Sequence, residues 1–228
     1  MGLDRKAPLQ ATLLCMWLCV ACVQEDQTRG TVTHEDEAAM SIDGQITLVQ
    51  GNSWRGPDID IGLSTVRWNE GQGQAQFIFF DKLGPHDWES DIELRRGAIF
   101  PVAGRFLQVA AISSGEEAQR DSVLLQPVAD TGGIAAPNRA HALLIEGGKA
   151  KFGDTWVALT MTQDNTSVTL ERWPLGRLYS RLSPDQLQTA ILSPGEEIQS
   201  GSLRYRLVRI QPSAGDLLGF VEFSVAQP

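Results

Sequence analysis

Gly97-Ala-Ile-Phe-Pro-Val-Ala-Gly-Arg-Phe-Leu-Gln-Val-Ala-Ala-Ile112 lies without a gap on Gly195-Glu-Glu-Ile-Gln-Ser-Gly-Ser-Leu-Arg-Tyr-Arg-Leu-Val-Arg-Ile210, 98 residues further on. The turn glycine falls on the turn glycine, Leu107 on Tyr205, Val109 on Leu207 and Ile112 on Ile210. Val123 and Leu125 then meet Val221 and Phe223. The same shift, with gaps in between, sets Trp54 on Phe152, Ile59 on Val157, Ile61 on Leu159 and Leu63 on Met161. Alternation alone aligns any two β segments at an even offset. The joint return of the turn glycine and of the strand order is what argues for an internal duplication.

Period-2 alternation runs through the chain from Ile46 onward, and no helical periodicity lasts longer than about two turns. Ile59-Asp-Ile-Gly-Leu63, Ala75-Gln-Phe-Ile-Phe-Phe80, Val157-Ala-Leu-Thr-Met161, Ser167-Val-Thr-Leu-Glu171, Leu203-Arg-Tyr-Arg-Leu207 and Phe220-Val-Glu-Phe-Ser-Val225 all read as strands. Turn formers such as Gly56-Pro57, Gly71-Gln-Gly73, Asp164-Asn165 and Pro194-Gly195 separate them. The fold class expected is all-β, with two similar small β-sandwich or β-barrel units, residues 44–128 and 142–228. Residues 129–141, rich in small side chains, would link them. Units of this size are marginal alone, and no disulfide is available to staple them, so the halves are expected to pack together. One short helix is predicted over Ser183-Pro-Asp-Gln-Leu-Gln-Thr-Ala190, with Ser183 as cap and Pro184 at the first position.

All three cysteines, Cys15, Cys19 and Cys22, stand near the N-terminus, which leaves the body without a thiol nucleophile or a cysteine zinc site. Arg5 and Lys6 precede an uncharged run from Ala11 to Ala21. At 1.5 Å per residue that run covers roughly 16 Å, about half a hydrocarbon core, which suits a secretory leader over residues 1–21. With Val20, Ala21 and Cys22 in sequence, the segment resembles a bacterial lipoprotein signal peptide, although Cys19 stands where that pattern usually carries an aliphatic residue. The resemblance implies a multiply acylated Cys22, including palmitate, and hence stable anchoring to a membrane. In Gram-negative members of the family that the segment resembles, Val23 in place of Asp would imply the outer membrane, facing the periplasm. Residues 22–43, with Glu25, Asp26, Glu35, Asp36, Glu37 and Asp43, would form an acidic tether.

A formal charge of −9 argues against a nucleic-acid partner. No Gly-x-Ser-x-Gly elbow, phosphate-binding loop, dinucleotide fingerprint or paired metal-binding histidine motif occurs, and none of His34, His86 and His141 sits in a catalytic pattern. No catalytic residue, resident metal or cofactor is therefore expected. Asp87, Glu89 and Asp91 are weak calcium candidates, because oxygen ligands alternate there without the spacing of an EF-hand. Trp68, Trp88 and Trp173 adjoin loops and are candidates for an exposed contact surface. The function expected is a non-catalytic binding or scaffold module of the cell envelope, its partner an envelope protein or a glycan. The alternatives are a carbohydrate-binding module using the exposed tryptophans, and an envelope hydrolase whose acids cannot be paired from sequence.

Overall fold

The protein's structure is a computed structural model that describes residues 44–82, 88–115, 120–160 and 166–226. The leader, Cys22 and the tether lie outside the described residues, as do His86, Asp87 and Glu117.

The chain is all-β, and the strands of the described residues fall into two matching sets of eight. The first set is β1 (Ile46–Val49), β2 (Ser53–Arg55), β3 (Ile59–Asn69), β4 (Gln72–Asp81), β5 (Trp88–Arg95), β6 (Ile99–Val102), β7 (Arg105–Ser113) and β8 (Ser122–Val128). The second is β9 (Ala142–Ile145), β10 (Lys149–Phe152), β11 (Thr155–Leu159), β12 (Val168–Pro174), β13 (Gln188–Leu192), β14 (Glu197–Ser200), β15 (Leu203–Gln211) and β16 (Phe220–Ala226). One four-stranded sheet runs β1-β8-β7-β6 and another runs β9-β16-β15-β14, the same order in each half. The remaining strands make one eight-stranded sheet, β2-β3-β4-β5-β10-β11-β12-β13, in which β5 and β10 join the halves antiparallel. Among the described residues none of the sheets closes into a barrel, consistent with a sandwich.

Main-chain detail repeats as well. Gly97 N–H donates to Val109 O and Val109 N–H to Ala98 O, and Gly195, Leu207 and Glu196 make the same pair of bonds. A bulge interrupts β7·β8 between Val109 and Ala111, and β15·β16 between Leu207 and Arg209. The turn after β6 puts Ala103 in the left-handed region at φ 46°, where the turn after β14 has Gly201 at φ 58°. The N-terminal part of each half follows a register two residues shorter. Gly51 N–H donates to Leu63 O and Leu63 N–H to Asn52 O, as Gly147, Leu159 and Gly148 do in the second half. Leu63 therefore corresponds to Leu159 rather than Met161, and Ile61 to Val157 rather than Leu159. A slip of two keeps every side chain on its own face, so alternation could not reveal it.

Alternating inward residues fill the space between layers. Phe77 and Phe79 on β4 pack on Phe100 of β6 at ring-centroid distances of 6.3 and 5.5 Å. Phe152 of β10 meets Tyr205 of β15 at 4.5 Å and Phe223 of β16 at 5.1 Å. Phe106 and Phe220 touch across the halves at 6.1 Å. Burying each such ring contributes roughly 2–3 kcal/mol. The region expected to be helical holds only a 3₁₀ turn, Pro184–Gln186, closed by reciprocal bonds between Ser183 and Gln186. From Gln188 the chain is strand, because Thr189–Ile191 pair with β12.

Candidate functional site

The three candidate tryptophans have different fates. Trp68 lies near the end of β3 with 43% of its surface exposed. Trp88 begins β5, and its side chain lies outside the described residues. Trp173 is only 3% exposed. It shares the outer face of the large sheet with Trp156, directly opposite on β11. Tyr179 closes over it edge-on at 5.2 Å and is pinned by a bond from its hydroxyl to Glu171 Oε2, 2.9 Å. The Glu171 carboxylate beside it holds the Tyr179 phenol above its ordinary pKa. Trp173 is thus packing, and the contact surface expected there is closed.

At Trp68 the surface is open. The indole Nε1–H donates to Asp121 Oδ2 at 3.0 Å, and Asp121 Oδ1 accepts the Gly115 N–H at 2.9 Å. One carboxylate thereby holds both the indole N–H and the Gly115 amide. A wide depression of about 440 Å³ adjoins the pair, lined by Gln50, Gly51, Ser64, Arg120 and Asp121. Arg120 Nη1 reaches Gln50 O at 3.4 Å across it. A carboxylate, a guanidinium, an amide and a hydroxyl line it, and the exposed indole of Trp68 is joined to it through Asp121, a set that can grip a polar ligand. The sequence pointed to Trp68 but not to Asp121 or Gln50, which arrive from distant strands.

Glu89 and Asp91 sit on β5, but Asp91 is already engaged: its Oδ2 lies 3.1 Å from Lys149 Nζ and its Oδ1 accepts Gln76 Nε2–H at 2.9 Å. Among the described residues no group of three or more His, Cys, Asp or Glu side chains could hold a metal ion.

A dense charge cluster lies where residues 135–141 run between the halves. Glu222 of β16 is buried, yet both its oxygens are occupied. Arg209 Nη1–H donates to Oε1 at 3.1 Å, while Oε2 accepts the Asn138 N–H at 2.8 Å and lies 3.1 Å from His141 Nδ1. Arg209 also donates to Ala135 O and lies over the Phe220 ring at 5.1 Å. Nearby, Arg139 Nη1–H donates to Asp58 Oδ2 at 2.8 Å, with Arg105 3.9 Å from the same oxygen. The Arg139 bond and charge hold the Asp58 carboxyl below the usual carboxylate range and push the Arg139 guanidinium up. The space left between Asp81, Gly104, Asn138, Arg139 and His141 is about 10 Å³, one water molecule at most. A substrate has no room there, and this cluster binds the connecting segment to both halves. One charged residue in the apolar run Phe220-Val-Glu-Phe223 was the sequence signal for it.

Among the described residues no helix is long and apolar enough to cross a membrane. No family model, curated protein or solved structure matches the chain.

Proposed function

We propose that this chain is a non-catalytic binding or scaffold module of the bacterial cell envelope, anchored through acylated Cys22 to the outer membrane and facing the periplasm. Its acidic tether lifts the double sandwich off the lipid, and its contact site is the corner built by Trp68 and Asp121. The observation that carries the reading is the contrast between that corner and the remaining charge clusters. Trp68 is exposed and bonded to a carboxylate that also lines an open polar depression, whereas Glu222 and Asp58 are tied up by Arg209 and Arg139.

The test is a photo-crosslinking residue placed in living cells at Gln72, on the hairpin tip beside Trp68, and separately at Leu178 on the outer face. A discrete adduct formed at Gln72, not formed at Leu178 and lost in Trp68→Ala, supports the reading; identical adduct patterns at both positions overturn it. For the anchor, Cys22→Ser should abolish incorporation of labelled palmitate and release the protein from the membrane. A variant that stays membrane-bound overturns that part.

A glycan ligand is the second reading, favoured by an exposed indole held by Asp121, whose neighbours in the depression include Arg120 and Ser64. It requires a shift in tryptophan fluorescence on titration with soluble cell-wall polysaccharide, absent in Trp68→Ala.

A further inference from the structure

The joint between the halves has an unused copy at each end of the molecule. In the eight-stranded sheet β5 pairs with β10 through Asp91 opposite Lys149 and Ser90 opposite Ala150. The duplication assigns each of these residues a counterpart. Ala98 N–H donates to Arg95 O as Glu196 N–H donates to Ser193 O, so β13 corresponds to β5, Thr189 to Asp91 and Gln188 to Ser90. Ser53 opposite Gly62 and Trp54 opposite Ile61 repeat Lys149 opposite Ala158 and Ala150 opposite Val157, so β2 corresponds to β10. Yet β13 and β2 are the two outermost strands of the sheet, each paired on one side only among the described residues.

We propose that copies of this chain associate head to tail, the free edge of β13 in one copy pairing antiparallel with the free edge of β2 in the next, as β5 pairs with β10 inside the chain. Thr189 then faces Ser53 of the next copy, and Gln188 faces its Trp54. The β13 edge is unguarded. Outermost strands usually carry Lys, Pro or a bulge that discourages pairing, but Gln188-Thr-Ala-Ile-Leu192 has none of these, keeps unbroken register with β12, and leaves Ile191 69% exposed.

A second contact of the internal joint has a charged counterpart. Ile99 N–H donates to Asp216 O, and Leu218 N–H donates to Ile99 O, which caps the edge of β6 with the other half. In the duplicated register Ile99 corresponds to Glu197 and Leu218 to Arg120. The same docking would bring the main chain of Glu197 in one copy to that of Arg120 in the next, and both residues are exposed and of opposite charge. One difference resists the fit: Asn52 replaces Gly148, where an added Cβ lies 3.2 Å from Asp91 O. The strands must stand apart by a few tenths of an ångström more than in the internal joint. A head-to-tail contact uses unlike surfaces and leaves one of each free at the ends, so it grows beyond a pair.

Sedimentation velocity of the purified full chain in detergent, from micromolar to near-millimolar concentration, tests this. The expected result is an average mass that rises with concentration and passes that of a dimer. Ser53→Lys with Thr189→Asp copies the Lys149–Asp91 pair and should tighten association roughly two- to five-fold; Ser53→Lys with Thr189→Lys should weaken it by a similar factor. Both positions are exposed in the single chain, and unchanged near-ultraviolet circular dichroism verifies that the variants fold. A single-chain mass at every concentration, a mass that stops at two chains, or association indifferent to both charge pairs overturns the proposal.

Discussion

Asp91 and Lys149 face each other 3.1 Å apart across the seam where the first half ends and the second begins. The lysine also lies over the Trp156 ring, 5.1 Å from its centre. Lys149→Ala should lower stability by about 1 kcal/mol, since both partners keep some solvent. A double-mutant cycle with Asp91→Ala should recover roughly 0.5 kcal/mol of coupling by urea unfolding. Fluorescence and far-ultraviolet circular dichroism should report a single shared transition, because the halves share one sheet.

Glu222 is the anchor of the connecting segment. Glu222→Ala removes the acceptor for Arg209, for the Asn138 amide and for His141 together. The expected loss is about 3 kcal/mol. Glu222→Gln keeps an accepting oxygen and should lose less; chemical denaturation of the two variants beside the parent measures the difference.

Acid should reach Asp58 only after it has protonated most surface carboxylates. Its folded-state pKa is lowered by Arg139, so the ionised form stabilises the fold. That contribution is complete above the unfolded value near 3.8 and is lost as pH falls below it through the lowered value. Asp58→Asn should therefore be less stable than the parent at pH 6, with the gap narrowing as the pH drops towards about 3. Urea midpoints at the two pH values decide it.

Asp121 accepts both the Trp68 indole N–H and the Gly115 amide. Asp121→Ala should speed hydrogen exchange at Gly115 by about ten-fold or more, while global stability falls by only about 1 kcal/mol. Amide exchange followed by NMR separates the local effect from the global one.

Alternation made the sheets legible, and the recurring Gly97 and Gly195 made the doubling legible, because both are local signals. The seam was not. It rests on two residue pairs of β5 and β10, and nothing in Ser90-Asp91 or Lys149-Ala150 marks an edge that another strand will cover. Trp68 and Trp173 look alike in sequence, each near the end of a strand. Only the return of Tyr179 over the outer face buries one and leaves the other open. Asp121 becomes part of the Trp68 corner through β8, which follows it directly and pairs with β7 and β1, and no spacing rule announces that. The helix expected at Ser183 had the right cap and lost to the pairing of Thr189–Ile191 with β12. Tertiary partners outweighed a local preference worth about 1 kcal/mol.

The segment between the two sets of strands has its own consequence. Gly132 and Gly133 are exposed and left-handed, an inviting point for scission. A nick there would separate nothing. The β5·β10 ladder, the Phe106–Phe220 contact, the Arg139–Asp58 bond and the cap of Leu218 on Ile99 all cross the cut. Both fragments would travel as one particle until denaturant pulled them apart.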